Sequence, residues 1–172
     1  MDLMIDLETM GVEPDAPVIA IGAVFFSRTG LGDDFYINID LAEQIDTNRK
    51  VRADTIKWWM AQSNASQKVF KEQATPVRDG LLKFLDFLSA SPQDELKVWG
   101  NGPSFDITII EHLILSYGLA VPWKFWNVFD LRTFKRFVYN GKDMMRAGTY
   151  HNALDDAKYQ AEIIIKGMEK KR

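Results

Sequence analysis

The sequence contains no cysteine and only two histidines among its 172 residues. Without thiols, the chain has neither disulfides nor thiolate ligands for a metal. Positive charge is not in excess, because the net charge is −3, so a polyanionic partner would need a local basic patch or bound cations. No apolar run is long enough to span a membrane, and the first one is short, acidic and without preceding basic residues, unlike a signal peptide. We therefore expect a cytoplasmic protein with no membrane partner.

The length fits one domain over residues 1–172, and 47% of the residues are hydrophobic, as in an ordinary globular core. Alternating and apolar runs predict an initial strand that carries two acids near its end, with further strands at Val18–Phe26, Asp33–Asp40, Leu96–Gly100 and Val128–Leu131. Helical periodicity and end signals predict helices at Asp54–Gln62, Pro76–Leu88, Phe105–Tyr117, Arg132–Tyr139 and Asn152–Lys171. Short connections between the first three strands favour an antiparallel meander. The expected fold class is α/β, with a mixed sheet and helices.

Two acids, Asp6 and Glu8, lie near the end of the first strand. Side chains alternate along a strand, so both carboxylates share one face, roughly 6.5 Å apart. Carboxylates on a buried face repel each other and lose hydration unless a cation or protons neutralise them. A metal site is one interpretation, and an edge strand with a solvated face is the other.

Asp106 begins a predicted helix and lies one turn before Ile110, inside the apolar stripe. It is either an N-terminal cap or a functional acid. On the last helix, Asp155 is predicted on a solvated charged face, whereas Asp156 lies on the flank nearer the core. His151 directly precedes this helix and is either a surface residue or a catalytic one.

Together, Asp6, Glu8, Asp106 and Asp156 are four acids on or beside buried faces at strand ends and helix starts. Hard oxygen ligands without cysteine favour Mg²⁺ or Mn²⁺ over zinc. Two such ions about 3.5–4 Å apart can cleave a phosphodiester, because they activate a water and stabilise the leaving oxygen. The imidazole of His151, in a polar loop beside these acids, suits a general base for the attacking water.

Three motifs in chain order resemble those of the DEDDh 3′–5′ exonucleases, the DnaQ-like group of the ribonuclease-H-like superfamily. They are Asp6-Leu-Glu-Thr9, Ser104-Phe-Asp106 and His151-Asn-Ala-Leu-Asp-Asp156. The sister subfamily carries a tyrosine where this chain has Asn152. The stretch Thr55-Ile-Lys-Trp-Trp-Met60 is most similar to small stand-alone phage and bacterial members of the exodeoxyribonuclease VIII-like or exoribonuclease-like type, which implies a bacterial or phage-infected cell.

The resemblance implies a ribonuclease-H-like fold with a central mixed five-stranded sheet flanked by helices. It implies that the four acids hold two Mg²⁺ or Mn²⁺ ions, that His151 is the base, and that Glu8 acts in catalysis as well as in metal binding. The implied substrates are single-stranded DNA or RNA 3′ ends, and a homodimer is left open. Substrate contacts are implied for Thr9, Met10, Asn101, Ser104 and Phe105.

Two further groups have alternative interpretations. Adjacent Trp58 and Trp59 cannot face the same way on a helix, so one belongs in the core and the other at its edge, in a groove or at a subunit contact. The basic run of Arg132, Lys135, Arg136, Lys142 and Arg146 either contacts the phosphate backbone or forms a solvated helix face.

Three functional hypotheses follow from the sequence. The first is a metal-dependent 3′–5′ exonuclease that releases nucleoside 5′-monophosphates. The second is a phosphodiesterase limited to dinucleotides or short oligomers, suggested by the weak positive charge. The third is an inactive nucleic-acid-binding domain, which the presence of all five expected catalytic residues disfavours.

Overall fold

The computed structural model describes residues 1–91 and 95–170 of the chain. Five strands form one sheet in the order β3-β2-β1-β4-β5, which confirms the predicted mixed five-stranded α/β fold. The strands are β1 Asp2–Thr9, β2 Val18–Ser27, β3 Gly30–Asn38, β4 Lys97–Gly100 and β5 Val128–Asp130. The helices are α1 Leu41–Asp46, α2 Ala53–Met60, α3 Val77–Leu88, α4 Asp106–Ser116, α5 Leu131–Phe137 and α6 Ala153–Glu169, with short 3₁₀ helices at Ser66–Lys71 and Phe125–Asn127.

The first three strands form the predicted antiparallel meander, and β4 and β5 run parallel to β1. The β2–β3 turn is shorter than expected, because Gly30 already pairs with Ser27. A positive φ of 145° at Gly30 allows this tight reversal. β1 therefore occupies the centre of the sheet and pairs with a neighbour on each side.

Helices cover both faces of the sheet. Leu3, Ile5 and Leu7 pack into one core cluster with residues of α3 and α4, and Met4 packs into a second cluster with residues of α5 and α6. The face of β1 that carries Asp6 and Glu8 is thus the face covered by α6.

The structure differs from the predicted elements in three respects. The helix α1 and the 3₁₀ helix at Ser66–Lys71 were not predicted, and Leu82 is 45% exposed although the helical pattern placed it on the buried face of α3. The last helix was predicted to end at Lys171, which lies outside the described residues.

In the part of the chain that the structure describes, no helix has the length and apolar character needed to cross a bilayer.

Candidate active site

Asp6 and Glu8 lie at the end of the central strand, where β1 extends past its partner. β4 pairs with β1 only as far as Met4, so the backbone N–H of Leu7 has no strand partner on that side. Asp106 Oδ1 accepts this N–H at 3.2 Å. Because this side chain replaces a missing strand, the first residue of α4 is fixed against the acidic end of β1.

Asp106 is not an N-terminal cap. The cap position is Phe105, and no side-chain hydrogen bond caps this helix. Asp106 is only 2% exposed, and Gly100 leaves space for it, since a Cβ at that glycine would lie 3.4 Å from Asp106 Oδ2. The apolar stripe therefore places this carboxylate in the interior, as its helical position predicts.

Asp156 also lies at the acidic end of β1, but it comes from α6, on the sheet face opposite to α4. The side chain of Asn152 caps α6 by accepting the backbone N–H of Asp155 at 3.1 Å. The first turn of α6 lies directly on β2, because a Cβ at Gly22 would be 2.1 Å from the carbonyl carbon of Ala153. This close approach brings Asp156, which is 9% exposed, beside Glu8.

His151 completes the cluster. Among the described residues, Glu8, His151 and Asp156 each offer one ligand atom, and these atoms lie within 4.8 Å of one another. The backbone N–H of His151 donates to Asp156 Oδ2 at 3.0 Å. His151 also has a positive φ of 60°, a conformation that costs a non-glycine residue about 1–2 kcal/mol and is common at functional sites.

Asp155 does not lie on a solvated face, so that prediction is wrong. Its Oδ2 accepts the backbone N–H of Thr149 at 2.7 Å, and a Cβ at Gly148 would lie 2.5 Å from its carboxyl carbon. The glycine lets the loop pass close to the helix, so Asp155 holds the segment that leads into His151.

Burial raises the pKa values of Asp6, Glu8 and Asp106, and neighbouring acids raise those of Asp6 and Glu8 further. Burial, and then the charges of Asp156 and Asp106, raise the pKa of Glu8 to about 8. Burial raises the pKa of Asp106 to about 7. The pKa of Asp6 is also well above its ordinary value, chiefly through burial and then through the charges of Asp106 and Glu8. Ionising these carboxyl groups together is therefore costly, and a bound cation would offset that cost.

Two further residues contact these acids. Gln160 Nε2 donates to Asp6 Oδ1 at 2.6 Å, and Arg146 donates from Nη2 to Asp156 Oδ1. Gln160 Oε1 is buried and has no hydrogen-bond partner within the described chain. Gln160 follows Asp156 by four residues, so its helical position could have identified it. Nothing in the sequence pairs Arg146 with Asp156.

The residues present fit a divalent metal. Carboxylate oxygens are the donors that Mg²⁺ and Mn²⁺ prefer. Glu8 and Asp106 are almost completely buried, and buried carboxylates need a compensating positive charge. The arrangement can therefore hold cations against an anionic substrate.

The acid cluster opens into a cavity of about 610 Å³, a volume typical of ligand sites. Of the predicted substrate residues, Thr9, Asn101 and Phe105 line it. Met10 instead packs in an apolar cluster with Trp59, and Ser104 is exposed and not among the lining residues. Of the basic run, only Arg132, Lys135 and Arg146 line the cavity.

The two tryptophans separate as expected into a core and a groove residue. Trp59 is 3% exposed and donates from Nε1 to the carbonyl oxygen of Thr9 at 2.9 Å. Trp58 is 43% exposed and lines the cavity, with its ring edge-on to His151 at a centroid distance of 4.7 Å.

A mixed sheet of this order, with acids at the end of its central strand and on the first turns of two flanking helices, defines the ribonuclease-H-like DEDDh class of nucleases. In agreement, the nuclease domain of 3′hExo, a DEDDh family member solved with bound rAMP, superposes with a TM-score of 0.65. That likeness covers 98% of this chain and 92% of the other at 16% sequence identity. Exonuclease X, solved with 5′-overhanging duplex DNA, gives a TM-score of 0.61 at 13% identity over 99% and 92% of the two chains.

Sequence similarity identifies the family. A family model described as the 3′–5′ exoribonuclease Rv2179c-like domain matches residues 1–168. A protein named exodeoxyribonuclease, from Enterobacteria phage T4, is 30% identical over 158 residues, which covers 77% of this chain and 69% of the phage protein. The chain belongs to the Rv2179c-like 3′–5′ exoribonuclease domain family, and it is a 3′–5′ exonuclease.

Proposed function

We propose that this exonuclease removes nucleotides one at a time from the 3′ ends of single-stranded DNA or RNA, with two Mg²⁺ or Mn²⁺ ions. Asp6, Glu8, Asp106 and Asp156 would hold the ions, and His151 would act as the general base. The observation that carries this proposal is the convergence of four carboxylates and one imidazole on the wall of a single cavity.

The proposed reaction needs a water to attack the terminal phosphorus atom. Divalent cations at the carboxylates would supply Lewis-acid stabilisation of phosphate charge and would lower the pKa of the attacking water. A ring nitrogen of His151 takes one proton from that water as its oxygen bonds to phosphorus. The bond between phosphorus and the 3′ oxygen of the preceding nucleotide breaks, which releases a nucleoside 5′-monophosphate. The leaving 3′ oxygen takes up a proton from bulk water, so the shortened strand ends in a new 3′-hydroxyl.

The cavity walls suit an unpaired strand end. Phe105 offers an aromatic face for stacking, which every nucleobase can use. Arg132 and Lys135 lie on the wall formed by α5 and supply positive charge for phosphate groups. Arg132 is also braced by donating from Nη2 to the carbonyl oxygen of Asn101 at 2.9 Å. Stacking on Phe105 and the attraction of Arg132 and Lys135 for phosphate do not depend on base sequence, as stepwise digestion requires.

The choice between DNA and RNA needs a direct assay, because the matched family is described as exoribonucleases and the phage relative is named an exodeoxyribonuclease. The protein is incubated with 3′- and 5′-labelled single-stranded DNA, RNA and dinucleotides, with Mn²⁺ or with chelator. We expect stepwise shortening from the 3′ end, which stops in chelator. Cleavage that survives chelation would contradict the metal mechanism, and cleavage of dinucleotides alone would favour the narrower phosphodiesterase.

A further inference from the structure

The segment from α2 through the 3₁₀ helix at Ser66–Lys71, here called the tryptophan wall (residues 53–71), contacts the loop that carries His151. His151 itself belongs to no helix or strand and has the left-handed φ described above. The residue is only partly buried, and its bond to α6 runs through the backbone N–H and not through the ring. The tryptophan wall supplies contacts from the other side of the cavity.

A buried serine connects the two segments. Ser66 is 4% exposed, and its hydroxyl donates to the carbonyl oxygen of Tyr150 at 2.8 Å, across 84 positions of the sequence. That carbonyl belongs to the peptide bond that joins Tyr150 to His151. The hydroxyls of Ser63 and Ser66 are 3.0 Å apart, and because the single Ser66 proton goes to Tyr150, Ser63 must be the donor between them.

Hydrogen bonds attach the tryptophan wall to the sheet and join its two helices. Trp59 ties α2 to the end of β1 through Thr9. Within the segment, Gln67 Nε2 lies 3.0 Å from the carbonyl oxygens of Trp59 and Gln62 and 3.3 Å from that of Met60, so its two N–H groups bond to the end of α2. Asn38 Nδ2 donates to the carbonyl oxygen of Val69 at 2.8 Å. A segment that is bonded to the sheet at two points and braced internally can hold a loop in one place.

From these contacts we propose that Ser66 and Trp58 are positioning residues for His151: Ser66 holds the peptide that precedes it, and Trp58 limits the rotation of its ring. The inference rests on the proposed role of His151 as the base. A general base needs its proton acceptor within hydrogen-bond distance of the water, and small displacements reduce the rate strongly. Neither residue needs to contact the reacting atoms.

The first test is kinetic. We expect Ser66→Ala and Trp58→Ala each to lower kcat about tenfold, less than the 10²-fold or more expected for His151→Ala. In the His151→Ala background, neither substitution should lower kcat further, because both act through the imidazole. An undiminished kcat in the single variants, or a full additional loss in the double variants, would overturn the inference. Ser116→Ala is the matched control, since its hydroxyl also donates to a carbonyl oxygen at 2.8 Å but lies at the end of α4.

The second test does not depend on activity. His112 and His151 are the only histidines in the sequence, so His151→Ala assigns both imidazole proton signals in NMR spectra. Ser66→Ala and Trp58→Ala should shift or broaden the His151 signal and leave that of His112 unchanged; an unmoved His151 signal in both would overturn the positioning role. Trp58→Ala, at a half-exposed position, keeps the test available if Ser66→Ala fails to fold. If His151→Ala retains full kcat, the proposed base is wrong, and the NMR result still decides the positioning role.

Discussion

Asp155 and Asp156 are adjacent in the sequence, and their carboxylates make different contacts. We expect Asp156→Ala to lower kcat far more than 100-fold, because it removes a proposed ligand. Asp155→Ala should lower kcat only about tenfold, since it releases the backbone N–H of Thr149 and loosens the loop that carries His151. Single-turnover rates in saturating Mn²⁺ measure both. If Asp155→Ala were the inactive variant, the two residues would have the opposite roles.

Gln160 holds Asp6 and is proposed to orient it for metal binding. We expect Gln160→Leu to weaken Mn²⁺ binding about 10- to 100-fold, because hydrogen-bond partners of metal ligands typically contribute that much. Isothermal titration calorimetry measures the affinity without substrate. Glu162→Ala is the control, as it lies about 200° away around the same helix. Equal affinities for Gln160→Leu and the native protein would show that the bond to Asp6 does not support metal binding.

At the residue scale, the sequence predicts on which face of a strand or helix a side chain lies better than it predicts which residues that side chain contacts. Strand alternation places Asp6 and Glu8 together, and helical position places Asp106 in the interior. The contact of Arg146 with Asp156 depends on the path of the long loop before α6, which no periodic pattern describes. The same holds for the left-handed φ of His151 and for the bond from Ser66 to Tyr150.

At the element scale, the position of α6 depends on Gly22 in β2. We expect Gly22→Ala to lower the free energy of unfolding by about 1–3 kcal/mol, because the new methyl group would overlap the backbone of Ala153. Activity should fall as well, because α6 carries Asp156. Chemical denaturation and kcat measure the two effects. The control is Gly32→Ala in β3, where the nearest atom to a new Cβ would be 3.4 Å away; equal stability of both variants would contradict the close packing of α6.

The elements that the sequence predicts are those with a continuous apolar run or a periodic apolar face. β2 has such a run and α3 such a face, whereas α1 has six residues and buries a polar side chain, Gln44. Gln44 bonds both the N–H and the carbonyl oxygen of Val18 at 2.8 Å, and so acts as a substitute strand neighbour. Its burial comes from pairing with backbone, which hydrophobic periodicity cannot reveal.

At the scale of the whole molecule, the acid cluster couples stability to pH. The pKa of Glu8 is about 8 in the folded protein against an ordinary value of 4.5, so between these values the folded state keeps a proton that the unfolded chain releases. Raising the pH through this range therefore favours unfolding. In chelator, we expect Tm to fall by several degrees between pH 5 and pH 8.

Divalent cations should reverse this trend. They compete with protons for the carboxylates and bind only the folded site, so Mn²⁺ should raise Tm more at pH 8 than at pH 5. Thermal melts with Mn²⁺ and with chelator measure the difference. Glu8→Gln should flatten the pH dependence in chelator. A Tm that rises with pH in chelator would mean that the acids are already stabilised as anions by the protein itself.

The hydrogen bond from Gln160 to Asp6 joins residues 154 positions apart, and this separation governs when activity first arises during synthesis. A growing chain carries Asp6 and Glu8 almost from the start. It cannot form the cluster until α6 has been translated and has docked on β1 and β2. Fragments released before that point hold at most three of the four acids and lack the helix that covers one sheet face. We therefore expect a product truncated before α6 to lack the proposed metal site and to be inactive.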